Sequence, residues 1–590
     1  MHIREPAREA AFGLPLHLSG LPSLAVRAPD GAPELAGLGA CVLFALAWLL
    51  PNHYSPWPAF HSDALAALGL LVAATGTLLF AKGPVRWPLA GVVLGGVALM
   101  PLLQHAAGLV YFFGDALIAS LYVAGLALAM HSGAALQQRA RSALVPLLAT
   151  TLVVALLSVD IATLQWLRVS NLGIFVVDLD REARPYSNLA QPNQYATLLV
   201  LGLVAALALH ERRRLSAAAL ALAAGFLAFG IVMTQSRAGF LEVAGVIVVA
   251  LVLRTRARLR VGGPALLALG AVFVAFAFGW ATLCEWLYLP SVRDGTMGSS
   301  NGRIDLWREL LVAVSREPVW GWGWNQVSVA QAAVAGSLPP FRLMVEHSHS
   351  LAIDLLLWNG VPIGLALIAA ALWWWWRHLR ACRDGETAWL ICAVVAFGLH
   401  ALVEFPHDYA YLLFPVGLIA GGVEASSGAG RFVELPRAAV AGLPVAGLVL
   451  LAAVTLEYFT IEDNYRDMRF ESARIGTTEV SPNVPPLVLL TQLREFLYVA
   501  RHQVAAGMAS ADLDRIRRVA SRYPYPPVLL RHALAEALNG QPQRAAEAMR
   551  RLCHLHLEER CIEGLDNWAT MAAGTYPQIA AVPLPPRPVH

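Results

Sequence analysis

The stretch Val345-Glu346-His347-Ser348-His349-Ser350-Leu351-Ala352-Ile353-Asp354-Leu355-Leu356-Leu357-Trp358-Asn359, followed by Gly360-Val361-Pro362, is where a long polar loop runs back into an apolar segment. Two histidines and a carboxylate stand directly ahead of residues apolar enough to enter a bilayer. Ionisable groups are expensive at such a boundary, so their presence there signals a task.

Outward from that point the chain is dominated by apolar runs. Of its 590 residues 57% are hydrophobic and only 14% charged, with a mean hydropathy of +0.57. A soluble globular domain carries about 25% charged residues, so this is a polytopic membrane protein. The runs are roughly 16–25 residues long, the length of a bilayer-spanning helix, and lack the alternation of a barrel strand. The expected fold is therefore all-α: a transmembrane helical bundle of about 13 spans, at about 36–51, 64–81, 86–103, 114–131, 143–165, 194–210, 215–233, 238–254, 263–287, 360–376, 387–403, 410–425 and 438–459.

Charge sets the orientation. Arg4 and Arg8, Lys82 and Arg86, Arg139 and Arg141, Arg212 to Arg214, Arg254 to Arg260, Arg377 and Arg380, and Arg431 and Arg437 fall on one side, which the positive-inside rule makes cytoplasmic. The periplasmic side then receives the loops 166–193 and 288–359, the turns at Thr234 to Arg237 and Glu404 to Tyr409, and the tail. Residues 1–35 read as a cytoplasmic N-terminal segment without a cleavable signal peptide, 36–460 as the membrane domain, and 461–590 as a periplasmic helical domain. Within the tail, apolar positions recur at helical spacing over Leu529–Ala537 and Ala545–Leu555. Asn539-Gly540-Gln541-Pro542 breaks them into a hairpin of tetratricopeptide type, either a cap on the bundle or a docking surface. Cys41, Cys284, Cys382 and Cys392 lie in or near apolar segments, whereas Cys553 and Cys561 share the polar tail and can pair in an oxidising compartment. The run Trp373 to Trp376 with Arg377 and Arg380 reads as an interfacial belt with snorkelling cations.

The candidate site residues gather on the outer side. Gln191-Pro192-Asn193-Gln194 opens a span, with Pro192 suited to its first turn and amides free to bind polar groups. Arg237 sits in a turn too short to leave the membrane surface, beside Gly239, and Arg303 precedes Trp307 in the long loop. A rim arginine is most simply held by a carboxylate or a lipid headgroup. Two of them beside a histidine loop can grip a pyrophosphate without metal, because guanidinium binds phosphate bidentately and stays charged. His349, neutral near pH 7, is the natural general base for a hydroxyl. A zinc reading of His347 and His349 lacks third and fourth ligands at motif spacing, leaving Glu346 or Asp354 to fill in.

These stretches together resemble the O-antigen ligase family of bacterial membrane glycosyltransferases, and within it the pilin-glycosylating O-oligosaccharyltransferases. The resemblance rests on His349-Ser350 with Gly360, on Asn188-Leu189-Ala190-Gln191-Pro192-Asn193-Gln194 with Ala196-Thr197, and on Ser236-Arg237-Ala238-Gly239. It extends to Arg303 with Trp307, Gly321-Trp322-Gly323-Trp324, Glu346-His347-Ser348-His349, and His400 with Glu404-Phe405-Pro406 and Tyr409. It departs from the family where Pro362 and Ile363 follow Gly360-Val361, and where Trp358 replaces a common acidic residue.

The resemblance implies transfer of a glycan en bloc from undecaprenyl pyrophosphate to a Ser or Thr hydroxyl of a periplasmic protein such as a pilin. No cofactor, metal or nucleic acid is implied, and the setting is the inner membrane. It also implies His349 as base, Arg237 and Arg303 as pyrophosphate ligands, and Gln191, Asn193, Glu346, His347, His400, Glu404 and Tyr409 as supports of the pocket. The alternatives are an O-antigen ligase or polymerase acting on lipid A-core or glycan, and a transporter of the lipid-linked glycan. The transporter reading is weakened because no internal repeat is visible and the polar residues collect at one surface instead of the midplane.

Overall fold

The computed structural model describes residues 32–81, 83–169, 173–179, 183–189, 191–289, 291, 300–476, 481 and 483–588. The segment 1–31, Lys82 and Ala190 of the sequence reading lie outside the described residues. Among the described residues nine helices are long and apolar enough to cross a membrane, and four shorter apolar helices accompany them. Each expected span coincides with one of these helices, as the apolar run lengths require. The chain is a helical polytopic membrane protein.

At the centre of the bundle lies the helix Pro192–Glu211, buried along nearly its whole length. It packs against Val145–Trp166, Ala217–Met233, Arg237–Ala257 and Gly385–Ala401. Lipid tails are as apolar as leucine, so close packing of small residues has to supply the cohesion between such helices. Gly239 shows how: a Cβ there would stand 2.8 Å from the Ala196 Cβ, so the helix starting at Arg237 approaches the central helix only because glycine lacks that atom.

Among the described residues the arginine-rich segments share one face. Arg212 pairs with Glu386 at 2.9 Å, and Arg256 donates to the carbonyls of Leu379 and Arg380 at 3.2 and 3.1 Å. Arg437 donates to the Leu79 carbonyl at 2.6 Å. On the same face a two-stranded antiparallel ribbon pairs Val85–Pro88 with Phe432–Leu435. The tryptophan run is more than a belt, because Trp374 Nε1 donates to the fully buried Glu424 at 2.7 Å while Arg377 stacks over Trp373 at 4.6 Å.

On the opposite face the loop after Trp286 is not featureless. It carries the helices Ser300–Arg316 and Val327–Val334 and its own apolar cluster of Leu306, Leu310, Ala313, Trp324 and Trp358. The expected span at 360–376 begins earlier, at Leu351, and breaks at Gly360, where φ is +74°. The break seats Gly360 against the turn before Gly321: Val361 N donates to the Pro318 carbonyl at 2.7 Å and Trp322 N to the Leu357 carbonyl at 2.6 Å. A Cβ on Gly360 would clash with the Val319 carbonyl, so this position needs glycine for both its left-handed backbone and its close approach. Trp358, the departure from the family pattern, is buried and stacks on Trp324 at 4.6 Å.

The last membrane helix continues without a break over Leu443–Ser472, past residue 461. Beyond it, Thr491–Arg501, Ser510–Arg522, Pro526–Leu538, Pro542–Leu555 and Glu558–Ala573 enclose a core of Val519, Leu529, Ala533, Met549, Leu552 and Trp568. Pro526–Leu538 and Pro542–Leu555 form a helical hairpin turning at Gly540, and a Cys553–Cys561 disulfide ties the second of these helices to the next. The other four cysteines are free and buried. Denatured but unreduced protein should therefore react with a thiol reagent at Cys41, Cys284, Cys382 and Cys392 only. Mass spectrometry showing full labelling of Cys553 and Cys561 before reduction would contradict the pairing.

Candidate active site

On the face opposite the arginine-rich one, four segments distant in sequence meet at the carboxylate of Glu404, only 2% of whose side chain is exposed. Glu404 follows the helix Gly385–Ala401, and its backbone N–H still donates to the His400 carbonyl at 2.8 Å. One carboxylate oxygen accepts from Asn193 Nδ2 at 2.8 Å and from the Arg303 guanidinium. The other stands 2.6 Å from His349 Nδ1. An ionised carboxylate can only accept, so Nδ1 carries a proton and, in the neutral ring, Nε2 is the basic nitrogen. Burial pushes the Glu404 carboxyl up. The hydrogen bond from His349, with the positive charge of Arg303, outweighs that burial and holds it below the usual range, so Glu404 is ionised at neutral pH.

Local sequence explains how His349 is presented. Its backbone is left-handed, with φ at +56°, an uncommon state for a residue with a Cβ and one that requires support from its neighbours. Ser348 supplies much of it: its N–H donates to Asp354 at 3.1 Å, its hydroxyl to the Ser350 carbonyl at 2.8 Å, and its carbonyl accepts from Trp307 Nε1 at 2.9 Å. Trp307 lies one helical turn beyond Arg303, so a single helix, Ser300–Arg316, holds the loop with one side chain and Glu404 with another.

The amide stretch is divided in its duties. Asn193, in the first turn of its helix, accepts from the Ser236 hydroxyl at 2.8 Å, and Ser236 also caps the helix Arg237–Ala257 by accepting from Gly239 N at 3.1 Å. Gln191 accepts from the Tyr409 hydroxyl at 3.2 Å, tying that stretch to the Glu404 turn. Asn188 instead faces its own loop, donating to the Leu49 and Phe175 carbonyls at 2.7 and 2.8 Å. Arg237 is exposed at the start of its helix and makes no hydrogen bond or ion pair among the described residues. Beside it, an apolar groove of about 790 Å³ runs between Arg237–Ala257 and Gly263–Trp286, from Gln235 and Ser291 past Phe240, Ile247, Phe273 and Trp280.

The remaining expected site residues separate into three places. His347 pairs with Asp408 at 2.8 Å and stacks on Phe405 at 4.3 Å, and the same Phe405 ring meets His349 edge-on at 5.0 Å. Burial lowers the His347 imidazole, but Asp408, with Asp354 and Glu346 behind it, wins and raises it to about 9. His400 is fully buried one turn below Glu404, with Nδ1 2.6 Å from the Thr197 hydroxyl, which also lies 2.8 Å from the buried Glu242. Glu346, expected among the pocket supports, points away from Glu404 and accepts from Tyr525 of the tail at 2.5 Å. Among the described residues no three His, Cys, Asp or Glu side chains converge as metal ligands would.

Sequence reading missed Glu242 and Asp408, and gave Glu404 only a part in shaping the pocket. An acidic residue inside an apolar run was the available signal for Glu242, and the His-Asp pair next to Pro406 for Asp408.

Chemically, the arrangement offers an imidazole oriented by a buried carboxylate, with an arginine on that carboxylate and a second arginine, unpaired among the described residues, at a helix start. Such an arrangement can activate a base and hold an anion beside it. Residues 222–369 match the family model of O-antigen ligase, residues 185–210 that of protein glycosylation ligase, and residues 387–562 that of the virulence factor membrane-bound polymerase, C-terminal. The chain is 28% identical over 543 residues to the general O-oligosaccharyltransferase of Acinetobacter baylyi, covering 89% of this chain and 93% of that one. It is 27% identical over 387 residues to the ComP-specific O-oligosaccharyltransferase of the same organism, covering 65% and 69%. The chain is thus a membrane glycosyltransferase that resembles the O-antigen ligase family, and within it the protein-glycosylating O-oligosaccharyltransferases.

Proposed function

We propose that this O-oligosaccharyltransferase moves a glycan en bloc from undecaprenyl pyrophosphate to a Ser or Thr hydroxyl of a pilin-like protein, at the periplasmic face of the inner membrane. The observation that carries the reading is the 2.6 Å contact between His349 Nδ1 and the ionised Glu404, which leaves Nε2 as the base. In the step itself the acceptor hydroxyl gives its proton to Nε2 while its oxygen bonds to the anomeric carbon. The bond from that carbon to phosphate oxygen breaks, and its electron pair leaves with the pyrophosphate. Glu404 stabilises the imidazolium formed, as the carboxylate of a catalytic triad does.

The departing pyrophosphate gains negative charge, so cations aimed at it stabilise the transition state more than the ground state. Arg237 makes no ion pair among the described residues and sits at the positive end of a helix, which suits it to this part. Arg303 is already bound to Glu404 through Nη2 and offers its remaining N–H groups. The apolar groove suits the polyprenyl chain, because its walls are almost wholly apolar and its lining includes Gln235, two residues before Arg237. His347, a cation below about pH 9, adds positive charge near His349 and is unsuited to act as the base.

The match of 387–562 to a polymerase model favours a second reading, in which the acceptor hydroxyl belongs to a glycan or to lipid A-core. Co-expression with a pilin in cells that make the lipid-linked glycan separates the two. The native chain should add a glycan-sized mass to the pilin, and His349→Ala at equal membrane abundance should add none. Decoration of lipid A-core with an unmodified pilin would instead support the second reading. A fully glycosylated pilin from His349→Ala would remove the base assignment.

Because His347 has a folded pKa raised from 6.5 to about 9, its pairing with Asp408 contributes stability that is full below about pH 6.5 and lost by about pH 9. The native protein should therefore melt higher than His347→Gln in acid and neutral buffer, with the gap closing as pH rises through that window. An equal gap on both sides of it would rule the pairing out as its source.

A further inference from the structure

The tail reaches the active site by two separate polar clamps. In the first, Tyr525 Oη donates to Glu346 at 2.5 Å, while Arg522 lies 3.9 Å from the same carboxylate. Arg522 is itself buried, and it is anchored by two hydrogen bonds to Asp115 of the membrane helix Phe113–Arg139, at 3.1 and 3.2 Å. Its backbone carbonyl accepts from Ser328 in the long loop at 2.7 Å. Burial and the adjacent Glu346 carboxylate push the Tyr525 phenol up, so the phenol stays a donor at neutral pH. Glu346 is three residues before His349 in a short loop whose backbone is strained at His349.

In the second clamp His554 carries the contact. Its Nδ1 accepts from Gly336 N at 3.2 Å, so Nε2 bears the proton and donates to Glu309 at 3.1 Å. Glu309 is buried on the helix Ser300–Arg316, the element that also presents Arg303 and Trp307, and its other oxygen accepts from Gln331 at 3.1 Å. The His554 carbonyl accepts from Arg342 N at 3.0 Å, and the Arg342 side chain pairs with Glu558. The disulfide at the adjacent Cys553 ties the helix on which His554 sits to Glu558–Ala573.

We propose that the C-terminal helical region is a brace of the active site, in which Tyr525 and Arg522, through Glu346, and His554, through Glu309, are positioning residues for the His349 loop and the Arg303 helix. Neither clamp touches Glu404, so each acts on the chemistry only through the segment it holds. Buried hydrogen bonds to charged groups are strong, and removing one partner leaves the other unsatisfied, which loosens the loop locally. The proposal rests on His349 and Arg303 being the working groups.

The test uses the full-length protein in nanodiscs with undecaprenyl-pyrophosphate-linked glycan as donor and a pilin as acceptor. Tyr525→Phe and Glu346→Gln should each lower kcat by about tenfold with both KM values unchanged. The double variant should be no slower than the slower single, since both remove the same contact. Hydrogen exchange over residues 345–350 should quicken in Tyr525→Phe while the melting temperature holds, a pattern that general destabilisation does not give. An unchanged kcat in Tyr525→Phe, or rate losses that multiply in the double variant, would overturn the brace. A failure of the base assignment reads out differently: His349→Ala would then transfer at the native rate, whatever the exchange at 345–350 shows.

Discussion

One buried carboxylate organises this molecule's working face. Glu404 receives Asn193, Arg303 and His349 from points 211, 101 and 55 residues away in the chain. An unpaired carboxylate so little exposed would cost several kcal/mol, so each partner satisfies a charge that could not stay there alone. The same bonds that make Glu404 tolerable keep it ionised and orient the imidazole. On the proposed mechanism, stability and chemistry depend on one set of contacts, and a partner lost from Glu404 is also a charge left without compensation.

The rest of the fold can be read as what brings those partners together. The close approach allowed by Gly239 puts Ser236 against Asn193 at the top of the central helix. A left-handed Gly360 seats the re-entering helix against the Pro318 turn, so the loop ahead of it leaves the membrane surface in a fixed direction. One turn below the site, Thr197, His400 and Glu242 form a buried polar contact among three helices that each carry a site residue at or just beyond their upper ends. In a lipid-facing bundle such contacts specify register, because apolar side chains alone pack in many ways.

Much of this was legible in the residues. Run length and charge placement located the helices and the face on which the histidines lie, because a bilayer leaves a chain few other options. The paired histidines stood out as ionisable groups at a membrane boundary, and Gly239 as a small residue permitting contact. What was not legible depends on three-dimensional pairing. Nothing in the spacing of Glu346, His347 and His349 says that the first turns to the tail, the second to Asp408 and the third to Glu404. Helical periodicity in the tail revealed its helices and the turn at Gly540, but it could not separate a cap from a docking surface, because Arg522, Tyr525 and His554 find partners up to 407 residues distant.

The central claim is that Glu404 holds His349 as the base, and single-turnover transfer by purified protein preloaded with lipid-linked glycan tests it most directly. Glu404→Gln keeps the shape of the side chain and removes its charge. The account predicts that this variant, while still folded, loses about 10²–10⁴-fold in the chemical step, and that adding His349→Ala to it costs little more. A Glu404→Gln protein that transfers at the native rate would contradict it.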